Sequence, residues 1–492
     1  MKILFLSSEI SPFFRDTEQG DACEYLTKAL KYQGHDVRVI APRNKGYGMG
    51  KYALREIARL KSLIIKIKDS EYECSVKSGF LPGSRAQVYF IEYPELYNRK
   101  EVYKNPETGK IWDDSLLRYS FLNHSALQLL LHLQWLPDVI HCLDWRMSLL
   151  PYIINNHEDY KTHFSSTRTM LQLHNYHRSD VFSLDDSAKE LLTSGDIPKK
   201  FIQENSNGTA WLTTGINCVD QLLYLGEDSL DKLLETDSDN EFAKKVILDR
   251  SEDTHKIPFG IDTKNWDPAG DKQIAHRYNI DNFFDTKTDN KGVLRDVVEL
   301  SEESELPIIA ISCLTSNQRE SEIVTETIGK LSNIESQFIL LGEHDYDWNS
   351  VVSKADPSGK NIIAVNDPIE KLKHQIIAGA DILLIPCVEK CGCFNQMHGL
   401  RYGTIPVVYK DHHASSNIID ADEFAEDGNG FSYTEYTSDA IITVLGKALK
   451  LFESSDLWYN IQSNAMSLDL NWKRSVNIMI DIYQQAKDNP KH

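Results

Sequence analysis

The chain is predicted to be an α/β protein made of two Rossmann-like domains in tandem. Three observations predict this. A length of 492 residues exceeds what one hydrophobic core ordinarily serves and suits two large domains. Short β-branched runs alternate with amphipathic stretches, the pattern of a mostly parallel sheet flanked by helices. A second such alternation begins at Pro307, after a polar break.

In chain order, buried strands are expected over residues 2–7, 36–40, 86–91, 138–141 and 169–174, then over 307–312, 337–341, 381–385 and 405–409. The first strand leads through a loop into a helix over 20–33. Residues 126–136 are apolar but carry His132 and Gln134, which suits a buried helix. Between 160 and 253, outside the 169–174 strand, the pattern weakens into polar, helix-leaning segments such as 222–247. Residues 279–305, rich in Asp, Asn, Thr and Lys, are expected to form a surface excursion. No internal repeat or low-complexity segment interrupts this order.

Composition narrows the function classes. Hydrophobic content of 41% and charged content of 26% suit a globular protein. A net charge of −20 argues against a general nucleic-acid or anionic-membrane binder, because both partners are polyanions. Only Ile3 to Leu6 precede Glu9 as an apolar run, too short for a secretion signal. No stretch approaches the roughly 20 apolar residues of a membrane span. Eight cysteines in so long a chain are no disulfide framework. A cytoplasmic location is expected.

Four stretches are specific enough to name a family. Residues 1–42 begin MKILFLSSEISPFFRDTEQGDACEYL, with Ser8-Glu9, Pro12-Phe13 and Gly20-Asp21, followed by Lys28-Ala29-Leu30. Residues 257–268 are IPFGIDTKNWDP, 399–408 are GLRYGTIPVV, and 464–485 are NAMSLDLNWKRSVNIMIDIYQQ. This chain resembles the bacterial glycogen synthases and plant starch synthases. Their first loop runs S-E-x-x-P-F-x-K-T-G-G-L-G-D-V, their hinge I-L-N-G-I-D-x-x-x-W-N-P, and their late motif A-L-R-Y-G-T-L-P-V-V. The resemblance implies the GT-B architecture, two Rossmann-like domains facing across a deep cleft. It implies an N-terminal, acceptor-side domain over 1–256, a nucleotide-sugar-side domain over 257–470, and a final helix over 471–492 returning to the first domain. It also implies a retaining α-glucosyltransferase that extends an α-1,4-glucan from ADP-glucose or UDP-glucose, with no metal or other cofactor.

Such a transfer needs cations or dipoles for the leaving diphosphate, contacts to the sugar hydroxyls, and a groove for the acceptor. The diphosphate side of this sequence has changed. The family's S-R-L-T-x-Q-K-G carries two cations; here Ser312-Cys313-Leu314-Thr315-Ser316-Asn317-Gln318-Arg319 puts Cys313 at the arginine and Gln318 at the lysine. Arg319 reaches the lysine's place if the loop slips by one residue; otherwise it lies on a solvated turn. Losing one preorganised contact to developing charge costs on the order of 3–4 kcal/mol of barrier. In the first loop, Lys-Thr-Gly-Gly-Leu has become Arg15-Asp16-Thr17-Glu18-Gln19, while Gly20 survives. Arg15 is either a replacement cation or a surface residue. Two new carboxylates flank the place where backbone amides would meet a phosphate. One carboxylate about 4 Å from a phosphate costs roughly 1 kcal/mol in water and about 4 at an effective dielectric near 20. Leu341-Gly342-Glu343-His344-Asp345 lacks the second glycine of L-G-x-G-D, and His412-His413 stand at the glycines of R-R-T-G-G-L.

The sugar side has kept its residue types. By resemblance, His174 and Asn175 end a strand with the histidine over the transferring sugar; Asp144 of His141-Cys142-Leu143-Asp144-Trp145 and Glu389 of Val388-Glu389-Lys390-Cys391-Gly392 contact that sugar. Cys391 and Gly392 complete this donor loop, and Glu9 completes the polar set. Cys387, Cys391 and Cys393 invite a metal hypothesis, but structural zinc wants four ligands and Cys391 already has a family explanation. Two readings follow: a glycogen or starch synthase-like transferase with weak or lost turnover, or a non-catalytic glucan-binding or regulatory paralogue.

Overall fold

A computed structural model describes residues 1–15, 17–45, 52–67, 70–99, 101–108, 111–173, 210–226, 241–301, 306–313, 318–342, 346–386, 393–411, 415–424 and 426–488. The chain forms two compact units, Met1–Pro258 with Trp472–His492, and Phe259–Asn471.

The first unit is built on one sheet. Its strands are β1 (Lys2–Leu6), β2 (Asp36–Pro42), β3 (Arg55–Glu56), β4 (Leu63–Ile67), β5 (Ser70–Phe80), β6 (Gln87–Glu92), β7 (Val139–Leu143), β8 (Arg168–Leu173), β9 (Gln221–Leu225) and β10 (Thr254–Ile257). Their order is β10-β9-β8-β7-β1-β2-β6-β5-β3, with β4 on β5. From β10 to β6 every pairing is parallel, while β5 pairs antiparallel with β6, β3 and β4. Strands buried on both faces read as continuous apolar runs, as ILFL of β1 and VIHCL of β7 do. The helices Glu18–Tyr32 and Ser115–Leu133 supply Leu26, Leu30, Phe121, Leu127 and Leu130 to this core. At Gly215 a Cβ would lie 1.9 Å from the Ser148 carbonyl oxygen, so the Ala210–Cys218 helix meets its neighbour backbone to backbone.

The second unit contains β11 (Ile308–Cys313), β12 (Gln337–Gly342), β13 (Ile362–Asn366), β14 (Ile382–Ile385), β15 (Ile405–Tyr409) and β16 (Phe431–Tyr433). Their order, β13-β12-β11-β14-β15-β16, is parallel throughout. This is the doubly wound order, reversing direction between β11 and β14. The first unit reverses in the same way between β1 and β7.

Two expectations are corrected. Residues 222–247 are not uniformly polar and helix-leaning: Gln221–Leu225 is a fully buried strand, and Glu241–Leu248 is the helix. Nor is 279–305 a surface excursion. Phe283–Val298 is a helix whose inward face is largely polar, with Lys287, Asn290, Lys291 and Arg295 buried beside Phe283 and Leu294. Lys287 Nζ donates to the carbonyls of Ile377 (3.3 Å) and Ala378 (2.9 Å) and to Thr404 Oγ1 (2.7 Å). Lys291 pairs with Asp381 at 2.7 Å, and Arg295 Nε donates to Gln337 Oε1 at 2.7 Å. Hydrophobic periodicity cannot reveal a face buried through paired polar groups.

The final helix, Trp472–Asp488, buries Val476, Met479 and Tyr483 within the first unit. Tyr483 Oη lies 2.5 Å from His141 Nδ1, Ser475 Oγ donates to the Pro258 carbonyl at 2.6 Å, and Lys487 pairs with Asp138 at 3.0 Å. His141, the first residue of the H-C-L-D-W motif, is therefore a core contact of this helix.

Candidate functional site

In doubly wound sheets ligands bind beyond the carboxyl ends of strands where the order reverses. In the first unit that point lies between β1 and β7. The loop after β1 carries Glu9 and Arg15, the helix that follows it has Gly20 in its first turn, and the loop after β7 carries Asp144. The sequence-predicted residues of this unit thus converge from two strand ends that pair side by side.

Glu9 is fully buried. Its Oε2 accepts the Thr17 backbone N–H (2.9 Å), and its Oε1 accepts both the Thr17 hydroxyl (2.6 Å) and the Tyr103 hydroxyl (2.8 Å). Thr17 is the extended N-cap of the Glu18–Tyr32 helix, and its Oγ1 in turn accepts from Gln19 N at 3.3 Å. The anion-attracting start of this helix is occupied by a carboxylate of the protein itself. Gly20 packs tightly there: a Cβ would lie 3.3 Å from Glu9 Oε2 and 3.3 Å from the Phe14 carbonyl oxygen. Arg15 Nε bonds Asp21 at 2.8 Å with its side chain 56% exposed, and Asp21 also accepts the Ser11 hydroxyl at 2.6 Å. Gln19, at the family's leucine position, donates to Ser7 Oγ (3.0 Å) and to the Leu143 carbonyl (3.1 Å), tying the two strand ends together.

Asp144 has φ +80°, a conformation that costs a non-glycine residue energy and is concentrated at functional sites. Its Oδ1 accepts the Trp145 N–H at 2.7 Å, and its Oδ2 is paired with Arg146 Nη1. The Arg146 guanidinium lies 3.9 Å from the Tyr103 ring centroid and 4.7 Å from that of Trp145, and Arg146 Nε reaches Tyr119 Oη at 3.3 Å. Burial pushes the Asp144 carboxyl up; Arg146 and the Trp145 N–H offset this only in part. Burial, then Glu9, pushes the Tyr103 phenol far up, so it stays a hydrogen-bond donor. Tyr103 and Arg146 were missed by sequence reasoning. Tyr103 sits 94 residues from Glu9 with no motif around it; Arg146 was visible beside Asp-Trp, yet only geometry shows its partner.

In the second unit the reversal lies between β11 and β14. β11 ends at Cys313, and the Gln318–Leu331 helix follows. Gln318 is exposed and donates to Glu322 one turn on, at 2.7 Å; Arg319 is exposed beside it. His174, Asn175, Glu389, Cys391 and Gly392 lie outside the described residues. Among the described residues no group of three or more His, Cys, Asp or Glu is placed to hold a metal ion, and no helix is long and apolar enough to cross a membrane.

With this arrangement in view, residues 2–235 match the starch synthase catalytic domain family. The chain is similar to the glycogen synthase of Chlorobium phaeobacteroides, 28% identical over 491 residues and 98% of each protein. It is likewise similar to that of Chlorobium phaeovibrioides, 29% identical over 99% of each. By these matches the chain is a relative of the glycogen and starch synthases. The catalytic domain of starch synthase IV from Arabidopsis thaliana, bound to ADP and acarbose, superposes with a TM-score of 0.86 over 99% of each chain at 22% identity. Sucrose-phosphate synthase from Thermosynechococcus elongatus follows the same fold at a TM-score of 0.56 and 12% identity. The fold is GT-B, and the residues at the first unit's strand ends lie where doubly wound sheets bind ligands.

Proposed function

We propose that this relative of the glycogen and starch synthases handles an α-1,4-glucan with a degraded diphosphate site, so that turnover of ADP-glucose or UDP-glucose is weak or lost. The observation that carries this is Thr17, which stands where the family has a glycine and gives both its N–H and its hydroxyl to Glu9 at the helix start where a donor phosphate would be attracted. The cations are reduced in each unit by itself: in the first Arg15 is paired with Asp21, and in the second Gln318 stands at the family's lysine and bonds Glu322. In this reading His174, Asp144 and Glu389 hold the sugar. Glu9, Arg15, Gly20, Asn175, Gln318, Arg319, Cys391 and Gly392 are the donor-side set inherited from active relatives. ADP and acarbose in the starch synthase IV neighbour support a nucleotide-sugar and a glucan as the ancestral ligands.

A second reading, a non-catalytic glucan-binding or regulatory paralogue, is favoured by the internal bonding of both Glu9 and Asp144. Restoring the cations separates lost charge from a blocked site. Cys313→Arg with Gln318→Lys is expected to tighten ADP binding at least tenfold, read by calorimetry. Unchanged affinity would show that missing charge is not the cause.

A further inference from the structure

We propose that Arg146 sets the ligand specificity of the first unit by closing Asp144 against sugar hydroxyls. The inference rests on the reading that Asp144 is a sugar contact. Asp144 stands at the end of β7, beside the strand reversal, with φ +80° and ψ 157°. That conformation is costly for aspartate, and local hydrogen bonding to Trp145 N alone does not require the cation. Arg146 occupies the second oxygen, and it is held there from several sides: by the Tyr103 ring at 3.9 Å, the Trp145 ring at 4.7 Å and Tyr119 Oη at 3.3 Å.

Each holding group is itself fixed. Tyr103 bonds Glu9 and Ser8, both at 2.8 Å, and Tyr119 stacks edge-on against Trp145 at 5.6 Å. Asp144 and Arg146 are both largely inaccessible, with side chains 6% and 12% exposed. A neutral polyol offers Asp144 a hydroxyl bond to one charge, whereas the guanidinium offers a bond and an opposite charge, which counts for more in a water-poor site. A sugar hydroxyl must therefore compete with Arg146 for Oδ2 or make do with the acceptor sites that Trp145 N and Arg146 leave on the carboxylate. Arg146 is a positioning residue that acts through Asp144, and its consequence is selectivity against small sugars presented to this strand end.

The test uses the full chain and glucose as probe, with binding read by calorimetry. Arg146→Met keeps an apolar stem against the two rings and removes the cation; Arg146→Lys keeps a cation. The Met variant is expected to bind glucose about tenfold more tightly than wild type, and the Lys variant to stay close to wild type. A merely structural Arg146 would give weaker or unchanged binding on its removal, so either result overturns the proposal. If Arg146→Met fails to fold, Arg146→Gln is used in its place, and absence of a gain there also overturns it. Adding Asp144→Asn to the Met variant should abolish the gain. A gain that survives this change would instead defeat the reading of Asp144 as the sugar contact.

Discussion

Thr17, at a family glycine, is the changed side chain that redirects an inherited loop around Glu9. The Glu9 carboxylate takes two bonds from Thr17 and one from Tyr103, so removing one donor leaves a buried charge underbonded. Thr17→Val keeps the shape and the backbone N–H but removes the hydroxyl. It is expected to lower stability by about 1–2 kcal/mol, through the lost cap and the lost bond to Glu9, measured by urea denaturation. In the second unit, His374 bonds Asp271 at 2.7 Å and stacks on Trp266 at 3.7 Å. Burial opposes the charged imidazole, but the bonds to Asp271 and Glu370 outweigh it and hold His374 above its usual value. For Asp271 burial is likewise outweighed, by His374, Gln273 N–H and Tyr402, and its carboxyl is held low. His374 therefore stabilises the unit below about pH 6.5, and that contribution is lost as pH rises through its elevated folded value. Asp271 stabilises above about pH 4 and is lost as pH falls through its depressed value. His374→Gln should remove the decline in melting temperature expected from about pH 6.5 upward; an unchanged decline would contradict the pairing. The carboxylates Glu9 and Asp144 were legible from motif positions, whereas Tyr103 and Arg146 were not, because their roles arise from contacts across the fold.

At the scale of elements, the parallel strands were legible wherever short apolar runs contain several isoleucines, as IIAI of β11 and ILLI of β14 do. The buried strand Gln221–Leu225 was obscured by the polar residues around it, and the Phe283–Val298 helix by its own buried polar face. That face makes a specific prediction. Asp381 is buried, accepts the Ile308 N–H at 2.8 Å and pairs with Lys291. Lys291→Ala strands this carboxylate, at an expected cost of about 3–5 kcal/mol, read from urea unfolding of the second unit. The same helix approaches Glu370–Gly379 so closely that a Cβ on Gly379 would lie 2.8 Å from Leu294 Cβ. Gly379→Ala should therefore destabilise by about 1–3 kcal/mol through overpacking, despite the better helix propensity of alanine.

For the whole molecule, the chain leaves the first unit after Pro258 and re-enters it at Trp472. The last helix completes the first unit's core around His141 and Pro258. Deleting residues 472–492 should lower the melting temperature of the first unit and leave that of the second near its starting value, resolved by following hydrogen exchange of β1 and β11 separately. The chain is similar to glycogen synthases along its whole length, and the proposed reading is that its phosphate side has departed from theirs. The most direct measurement is incorporation of labelled glucose into glycogen from ADP-glucose and UDP-glucose at high protein concentration, beside a His174→Ala control. The account predicts incorporation at or near background from both donors, while glycogen is still retained in a binding assay. Robust incorporation that the control abolishes would contradict it.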